Sequence, residues 1–472
     1  MVAPLGPGAL GRHLALVGFM GAGKSTVGAR AARFAARPFV DTDAELERLH
    51  GPIPALFEER GEPEFRRLEE TVVAEALASD ERAVLALGGG AVLSERTRAL
   101  LRRQAFVVHL RVDADAAWSR VRRSDRPLAR DEERFRRLHD ERAPLYRETA
   151  DAEASDVEGV LTSALRVEVA PGSLAAVAAA AEGAEVVADE RLPGLPWWPR
   201  WPDGVAVHAL PSGEPAKSLD AVARLWDELG VGRDGRVVAL GGGTTLDAAG
   251  FAAATYLRGV EWTAVPTTLV GQVDAAIGGK TAIDLAKGKN LVGAFHLPAR
   301  VTVDPDALAT LPEAERRQGM AEVVKTGLLA GRPLWELREP EMVRASAAFK
   351  CAVVLSDPLE RGRRAILNLG HTFAHALEAA SGYSLPHGDA VALGLLAALR
   401  LSGQPPDVVE EGLAPPPERV AREAAWAALR RDKKGRAGRP RLVLLRAPGE
   451  PEWGVEVPER EVRAALDALI AG

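Results

Sequence analysis

Gly18-Phe19-Met20-Gly21-Ala22-Gly23-Lys24-Ser25 completes a G-x-x-x-x-G-K-S loop. An apolar run precedes it and a helical run follows, the context that gives the pattern a mechanism. Glycines let successive backbone N–H groups turn toward phosphate oxygens, and the positive end of the following helix adds to them. Lys24 would reach the β- and γ-phosphates and the Ser25 hydroxyl would hold magnesium, with Gly21, Ala22, Gly23 and Thr26 completing an ATP cradle. A second chemistry-bearing set occupies the back half, from Gly241-Gly242-Gly243 through Gly278-Gly279-Lys280 and Lys289-Asn290 to Asn368-Leu369-Gly370-His371 and His387. The two sets share no residue and imply different chemistry. The chain reads as two enzymes fused.

A phosphate loop names the donor, not the acceptor. Asp41-Thr42-Asp43 ends a strand-like run, where carboxylates can face the phosphates and hold a metal and a substrate hydroxyl. Arg66 and Glu69 are three apart and share a helical face. Gly88-Gly89-Gly90 closes another strand and permits close backbone approach to a ligand. Arg126-Pro127-Leu128 and Arg142-Ala143-Pro144-Leu145-Tyr146 bracket a charged segment suited to a lid. Singly, an arginine on a helix is most often a solvated ion pair. Jointly, carboxylates and convergent arginines suit a small anionic polyol.

In the back half, Glu322 and Lys325 share one helical face, and His371 and His375 share a face of another helix. His387 follows Pro386 and opens a third. One carboxylate with two imidazoles is a three-ligand set that leaves a position open, as catalytic zinc requires. Thr372 stands where the zinc-protease H-E-x-x-H pattern needs glutamate, which argues against a protease. The Gly241–Gly243 run, with Asp247 shortly after, suits a dinucleotide pyrophosphate, although a lone glycine run is a weak signal. Lys280, Lys287 and Lys289 lie among glycines on what reads as a loop joining strands, and a phosphate-bearing substrate gives them a purpose. Arg258, Lys350, Arg364 and Asn368 extend the reach toward such a ligand.

The elements that must position these residues follow from periodicity. Apolar runs at 13–17, 39–40, 84–87 and 106–110 alternate with helical stretches at 25–36 and 65–79, the pattern of a parallel sheet with crossover helices. A second such pattern has strands at 167–169, 185–188, 205–210, 237–240, 262–266 and 300–303, with Pro193–Pro202 as a loop. From Glu313 the chain turns to long helices at 313–329, 342–356, 369–380 and 389–401. The expected class is α/β, in three domains at 1–163, 164–311 and 312–472, with a cleft between the last two. A length of 472 residues suits two or three cores.

Composition bounds the partners. With 47% apolar residues, 27% charged and a net charge of −6, nothing favours nucleic acid as the main partner. Cys351 is the single cysteine, so no intrachain disulfide and no cysteine-based zinc site can form. No apolar run approaches the ~18–20 residues that span a bilayer, and Met1–Leu10 lacks the basic start of a signal peptide. Small-molecule substrates and a cytoplasmic location are expected.

Taken in order, the phosphate loop, Asp41-Thr42-Asp43, Phe65-Arg66-Arg67-Leu68-Glu69, Gly88–Gly90, Arg126-Pro127-Leu128 and Glu141-Arg142-Ala143-Pro144-Leu145-Tyr146 resemble the shikimate kinases over roughly residues 12–160. That resemblance implies a P-loop kinase domain that holds shikimate on Asp43, Arg66, the Gly89 and Gly90 backbone and Arg142. Asp43 would orient the attacking hydroxyl, Asp41 would join Ser25 at magnesium, and Arg126 would stabilise the transferring phosphoryl from the lid. The family's basic residue past the lid, which stacks on adenine, has no counterpart in Ala150–Leu165.

The back half resembles the 3-dehydroquinate synthases from about residue 166 onward, most specifically over 236–402. The resemblance implies a dinucleotide-binding α/β domain followed by a mainly helical metal-binding one, with zinc or cobalt on Glu322, His371 and His387. NAD would lie against Glu214, Lys217, Gly242, Gly243, Asp247, Thr267, Thr268, Lys280, Lys289 and Thr310. The heptulosonate phosphate would meet Arg258, Asp274, Lys280, Lys289, Asn290, Lys325, Lys350, Arg364, Asn368, His375 and Lys433 or Lys434. Catalysis would fall to Lys280, Lys325, Lys350, Arg364, Asn368 and His375, the last handling protons and not metal. Leu246 stands where the family has glycine, and Pro193–Pro202 replaces a regular stretch. A homodimer through the synthase half is compatible with this reading. The competing reading is a polyol dehydrogenase-like back half behind a non-catalytic nucleotide-binding front.

Overall fold

The five strands of the front sheet, β1 (His13–Val17), β2 (Phe39–Asp41), β3 (Val84–Ala86), β4 (Ala105–Leu110) and β5 (Ala152–Ala154), run parallel in the order β2-β3-β1-β4-β5. The computed structural model describes residues 8–122, 131–432 and 440–471. Its two compact units comprise 8–167 with 351–356, and 168–350 with 357–471. β1 lies at the centre of the front sheet and is buried along its whole length, which is why it reads as an unbroken apolar run. The helix Lys24–Ala35 follows the phosphate loop and buries Gly28, Ala31, Ala32 and Ala35. A Cβ on Gly28 would stand 2.7 Å from the Phe39 ring, so this helix lies very close to the sheet edge.

The stretch 65–79 is the second half of a longer element. Helix Ile53–Ala78 passes through a kink at Gly61, whose φ is 77°, just before Pro63. Glycine and proline so close together hide the helical period from the sequence.

In the second unit β6 (Val167–Val169), β7 (Ala184–Asp189), β8 (Val207–Leu210), β9 (Arg236–Gly241), β10 (Glu261–Pro266) and β13 (Arg300–Val303) form a sheet in the order β6-β13-β10-β9-β7-β8. β7 and β8 are parallel neighbours, a connection usually made by a crossover helix. Here Pro193–Pro202 is irregular, and Trp197, Trp198 and Trp201 cover the sheet by packing on a cluster that includes Val238, Leu240 and Val265. Two antiparallel hairpins complete the strands, β11 (Lys280–Leu285) with β12 (Gly288–Phe295), and β14 (Arg441–Ala447) with β15 (Glu450–Glu456).

The first hairpin corrects the expectation of a loop at the lysines. Lys280 opens β11 and Lys289 lies in β12, so two cations sit on paired strands joined by a tight turn. Glycines at 278, 279, 288 and 293 masked the alternation that builds it.

The helices Glu313–Ala330, Glu339–Ser356, His371–Ala380 and His387–Leu401 carry the remaining chemistry. His387–Leu401 is buried nearly all round, from Ala390 through Leu399. Its approach to the helix His371–Ala380 depends on two glycines. A Cβ on Gly394 would lie 2.1 Å from the carbonyl oxygen of Gly370, the left-handed residue (φ 79°) that caps His371. Gly394→Ala must therefore push the two helices apart. We expect about 1–3 kcal/mol of destabilisation, together with weakened metal retention. Thermal melting and metal content of the purified variant check both.

Candidate functional site

The phosphate loop follows β1 and turns through Gly18, Gly21 and Gly23, with φ of 147°, 83° and 89°. A Cβ on Gly21 would meet the Ala117 carbonyl at 2.7 Å, so side chains are excluded there by space as well as by conformation. Lys24 Nζ donates to the carbonyls of Gly18 (2.8 Å) and Phe19 (3.2 Å), folding back over the loop. Ser25 and Thr26 are exposed at the start of the helix. Arg120 Nη1 donates to the Gly21 carbonyl at 2.8 Å, which sets a cation beside the loop.

The acceptor side assembles around Gly88–Gly90. Asp43 and Glu69 flank Gly88 so closely that a Cβ there would stand 2.5 Å from an oxygen of each. Arg66 is held by Glu69 (2.7 Å) and Glu62 (3.2 Å). A Cβ on Gly90 would lie 2.1 Å from Arg66 Nη1, so glycine at 90 makes room for the guanidinium. Arg142 is buried, with Nη1 3.4 Å from the Gly89 carbonyl, to which the Tyr146 hydroxyl donates at 2.5 Å. Burial pushes the Tyr146 phenol up to about 12 and raises the Glu69 carboxyl against the pull of Arg66. Asp41 uses Oδ1 to cap the helix Thr42–His50, accepting from the N–H groups of Asp43 and Ala44. Arg126 lies outside the described residues.

In the second unit, three helices bring Glu322, His371 and His387 together. Glu322 lies mid-helix and is 1% exposed, whereas each histidine is the first residue of its helix. Glu322 Oε1 stands 3.6 Å from His371 Nε2 and 3.4 Å from His387 Nε2, and the three donor atoms lie within 4.8 Å of one another. Both Glu322 oxygens are buried without a well-formed hydrogen bond among the described residues, although Lys325 pairs with Oε2. The opposite ring nitrogens face acceptors: His371 Nδ1 the Leu369 carbonyl at 3.2 Å, and His387 Nδ1 the Glu378 carboxylate at 3.3 Å. Two imidazoles with Nδ1 engaged and Nε2 aimed at a carboxylate fit a divalent metal.

Electrostatics agree with that fit. Burial works against the charged form of Glu322, but Lys325, His387 and His371 hold it well below the usual carboxylate range. Burial, then Lys325, pushes His371 well below its ordinary value. Burial also opposes charge on His387, yet the adjacent Glu322 and Glu378 carboxylates carry it up to about 10, a proton a bound metal would displace.

Models of known families match along the chain: shikimate kinase over residues 20–164, the N-terminal part of 3-dehydroquinate synthase over 207–318 and its C-terminal part over 319–414. The 3-dehydroquinate synthase of Xylella fastidiosa (strain 9a5c) is 42% identical over 304 residues, 55% of this chain and 75% of that protein. The chain belongs to the 3-dehydroquinate synthase family. The synthase of Xanthomonas campestris pv. campestris (strain 8004) is 43% identical over 305 residues, 55% of this chain and 79% of its own. Among solved structures, ValA, a 2-epi-5-epi-valiolone synthase from Streptomyces hygroscopicus with NAD+ and Zn2+ bound, is 27% identical with a TM-score of 0.56, covering 64% of this chain and 96% of that one. A 2-deoxy-scyllo-inosose synthase at 24% identity and TM-score 0.55 shares the fold, covering 64% and 95%. With a shikimate kinase domain ahead of the synthase, this is a bifunctional shikimate-pathway enzyme, and the dehydrogenase reading is not favoured.

Beside the Glu322, His371 and His387 cluster lies a cationic set. Lys350 Nζ meets Asp274 Oδ1 at 2.7 Å and donates to its carbonyl at 2.6 Å. Arg364 is 1% exposed and donates through both Nη atoms to the Gly278 carbonyl at 3.1 Å. Asn368 Nδ2 donates to Glu360 at 3.2 Å, and Lys280 pairs with the same carboxylate. His375 is exposed, its ring 5.6 Å from that of His371 and outside the three-atom cluster.

A second network occupies the carboxyl ends of the strands. Lys217 bonds Asp247 (2.9 Å) and Asn290, with Asp284 3.8 Å away. Lys289 pairs with Glu214 at 3.2 Å and lies over the Tyr383 ring. The Thr267 N–H donates to the Gly241 carbonyl at 3.0 Å and Thr268 Oγ1 accepts from Gly271 at 3.1 Å, while Gly242 and Gly243 open the helix Gly243–Thr255 beside them. Leu246 is buried in that helix. Thr310 Oγ1 accepts the Trp197 indole N–H at 2.7 Å.

Arg258 does not join either group. It is exposed in a turn beyond the far end of the 13-residue helix Gly243–Thr255, about 20 Å from Gly243 by helix rise. Spacing along the sequence gave no sign that the helix would carry it away. Lys433 and Lys434 lie outside the described residues. Sequence reasoning missed Glu360, Asp284 and Glu378. Only the last had a signal, seven residues after His371 on the face that His371 and His375 share.

Proposed function

We propose that the front unit phosphorylates shikimate with ATP and magnesium. The second converts 3-deoxy-D-arabino-heptulosonate 7-phosphate to 3-dehydroquinate, with NAD and zinc or cobalt as cofactors. The convergence of Glu322, His371 and His387, in a half that also buries Lys325, Lys350 and Arg364, supports the second assignment.

In the kinase, Asp43 orients the attacking hydroxyl while Arg66 and Arg142 grip the substrate carboxylate. Lys24 holds the phosphates, and Ser25 and Asp41 support magnesium. In the synthase, Glu322 and the two Nε2 atoms would hold the metal, which would supply Lewis acidity toward a substrate hydroxyl, and NAD would supply hydride acceptance. Gly242, Gly243, Thr267 and Thr268 offer the backbone and hydroxyl groups for the dinucleotide, and Lys217 with Asp247 fixes the wall facing it. Lys280, Asn368, Lys350 and Arg364 bind the anionic substrate, and His375 moves protons at the open side. The synthase half comprises a dinucleotide domain at 164–311 and a metal domain at 312–472. Exposed Leu291 and Phe295 on β12, which pairs only with β11 among the described strands, support a homodimer through this half. No described helix is long and apolar enough to cross a membrane; the proposed substrates are small molecules and the proposed location is the cytoplasm.

A paired assay tests the proposal: phosphate released from the heptulosonate phosphate, and ADP formed with shikimate. NADH accumulation from polyols without phosphate release would overturn the synthase reading.

Lys350 supplies a pH test. Burial lowers its ammonium to about 8 despite Asp274, so it loses its charge as pH rises through that value. Synthase kcat/KM should therefore fall above about pH 8. Lys350→Arg keeps its charge and should move that limb to higher pH even if activity is reduced; an unmoved limb would exclude Lys350 as its origin.

A further inference from the structure

We infer that Glu378 is a positioning residue for the synthase metal, acting through His387. The inference rests on the metal reading above and extends it beyond the three ligands.

Glu378 lies on the helix that begins at His371, two turns on, and is 6% exposed. The turn that follows is tight: Tyr383 N–H donates to the Glu378 carbonyl at 2.7 Å, and Gly382 and Tyr383 both have positive φ, 63° and 65°. That turn returns the chain so that His387 Nδ1 stands 3.3 Å from Glu378 Oε1. The same helix therefore supplies one imidazole, His371, and the carboxylate that faces the other. The two ligands differ in what stands behind them. His371 has a neutral carbonyl at 3.2 Å, whereas His387 has a carboxylate.

The difference matters chemically. A carboxylate accepting the Nδ1 proton fixes the tautomer that presents Nε2 and makes the imidazole a stronger donor. It also holds the ring in place, which His387 needs more: its side chain is 42% exposed, against 12% for His371. Glu378 is thus the anchor for the more open of the two histidine ligands.

Zinc affinity of the full-length protein, by competition with a chromophoric chelator, tests this. Losses of outer partners typically cost 10–100-fold in metal affinity. Glu378→Ala should lie near the upper end of that range. Glu378→Gln keeps the volume and an acceptor oxygen, and should lie near the lower end. His387→Ala serves as the reference and should lose tight binding altogether. If His387→Ala releases the metal while both Glu378 variants bind it as the native protein does, the inference about Glu378 is overturned and the ligand set stands. If His387→Ala retains native affinity, the ligand set falls and Glu378 with it.

Discussion

Glu322→Gln is expected to cost the synthase its metal, its activity and much of its stability, while leaving the kinase working. Glu322 and Lys325 are each 1% exposed and paired. Breaking a buried pair by neutralising one partner strands the other charge, typically at about 3–5 kcal/mol. Asp274 also faces Lys325, so part of that penalty is relieved. The carboxylate's functional role can be separated from its structural one. Adding Lys325→Met removes the stranded ammonium and should recover most of the melting temperature, whereas metal binding should stay lost. Recovery of both would mean that Glu322 serves the fold and not the metal. Calorimetry and metal analysis of the single and double variants distinguish the two.

Lys24→Ala should lower shikimate phosphorylation by about a thousandfold, the scale seen when one preorganised donor is removed from a developing charge. Its ammonium donates to the Gly18 and Phe19 carbonyls of its own loop, and thermal melting of the variant checks that the front unit keeps its fold. Phosphate release by the synthase should be unchanged, because none of its ligand or cationic residues lies in the front unit. Joint loss of both activities would contradict the independence of the two sites. Retained phosphorylation would remove Lys24 from the phosphate cradle.

What was legible in the sequence was local. The phosphate loop could be read because strand, loop and helix are contiguous, whereas i, i+4 spacing pairs His371 with His375, and His387 entered the ligand set through the family resemblance. The same rule, carried one turn further, would have found Glu378. Glu360 could not be found that way. It lies in Asp357-Pro358-Leu359-Glu360-Arg361, which reads as a solvated charged loop, and its partner Lys280 is eighty residues earlier. Asp284 is hidden for a related reason, since it gains meaning only when β11 pairs with β12 and sets it beside Lys217 and Asn290. Arg258 is a different case: charge type offered it as a ligand, and the helix Gly243–Thr255 stands between it and the glycine turn. Tertiary closure, not residue type, decides such cases.

The account stands most directly on where a metal binds. Crystals soaked in zinc and measured above its absorption edge should show one strong anomalous peak in the synthase half, about 2.0–2.1 Å from His371 Nε2 and His387 Nε2 and in contact with the Glu322 carboxylate. A peak bonded to other residues, or none at this cluster in a zinc-replete active enzyme, would contradict it.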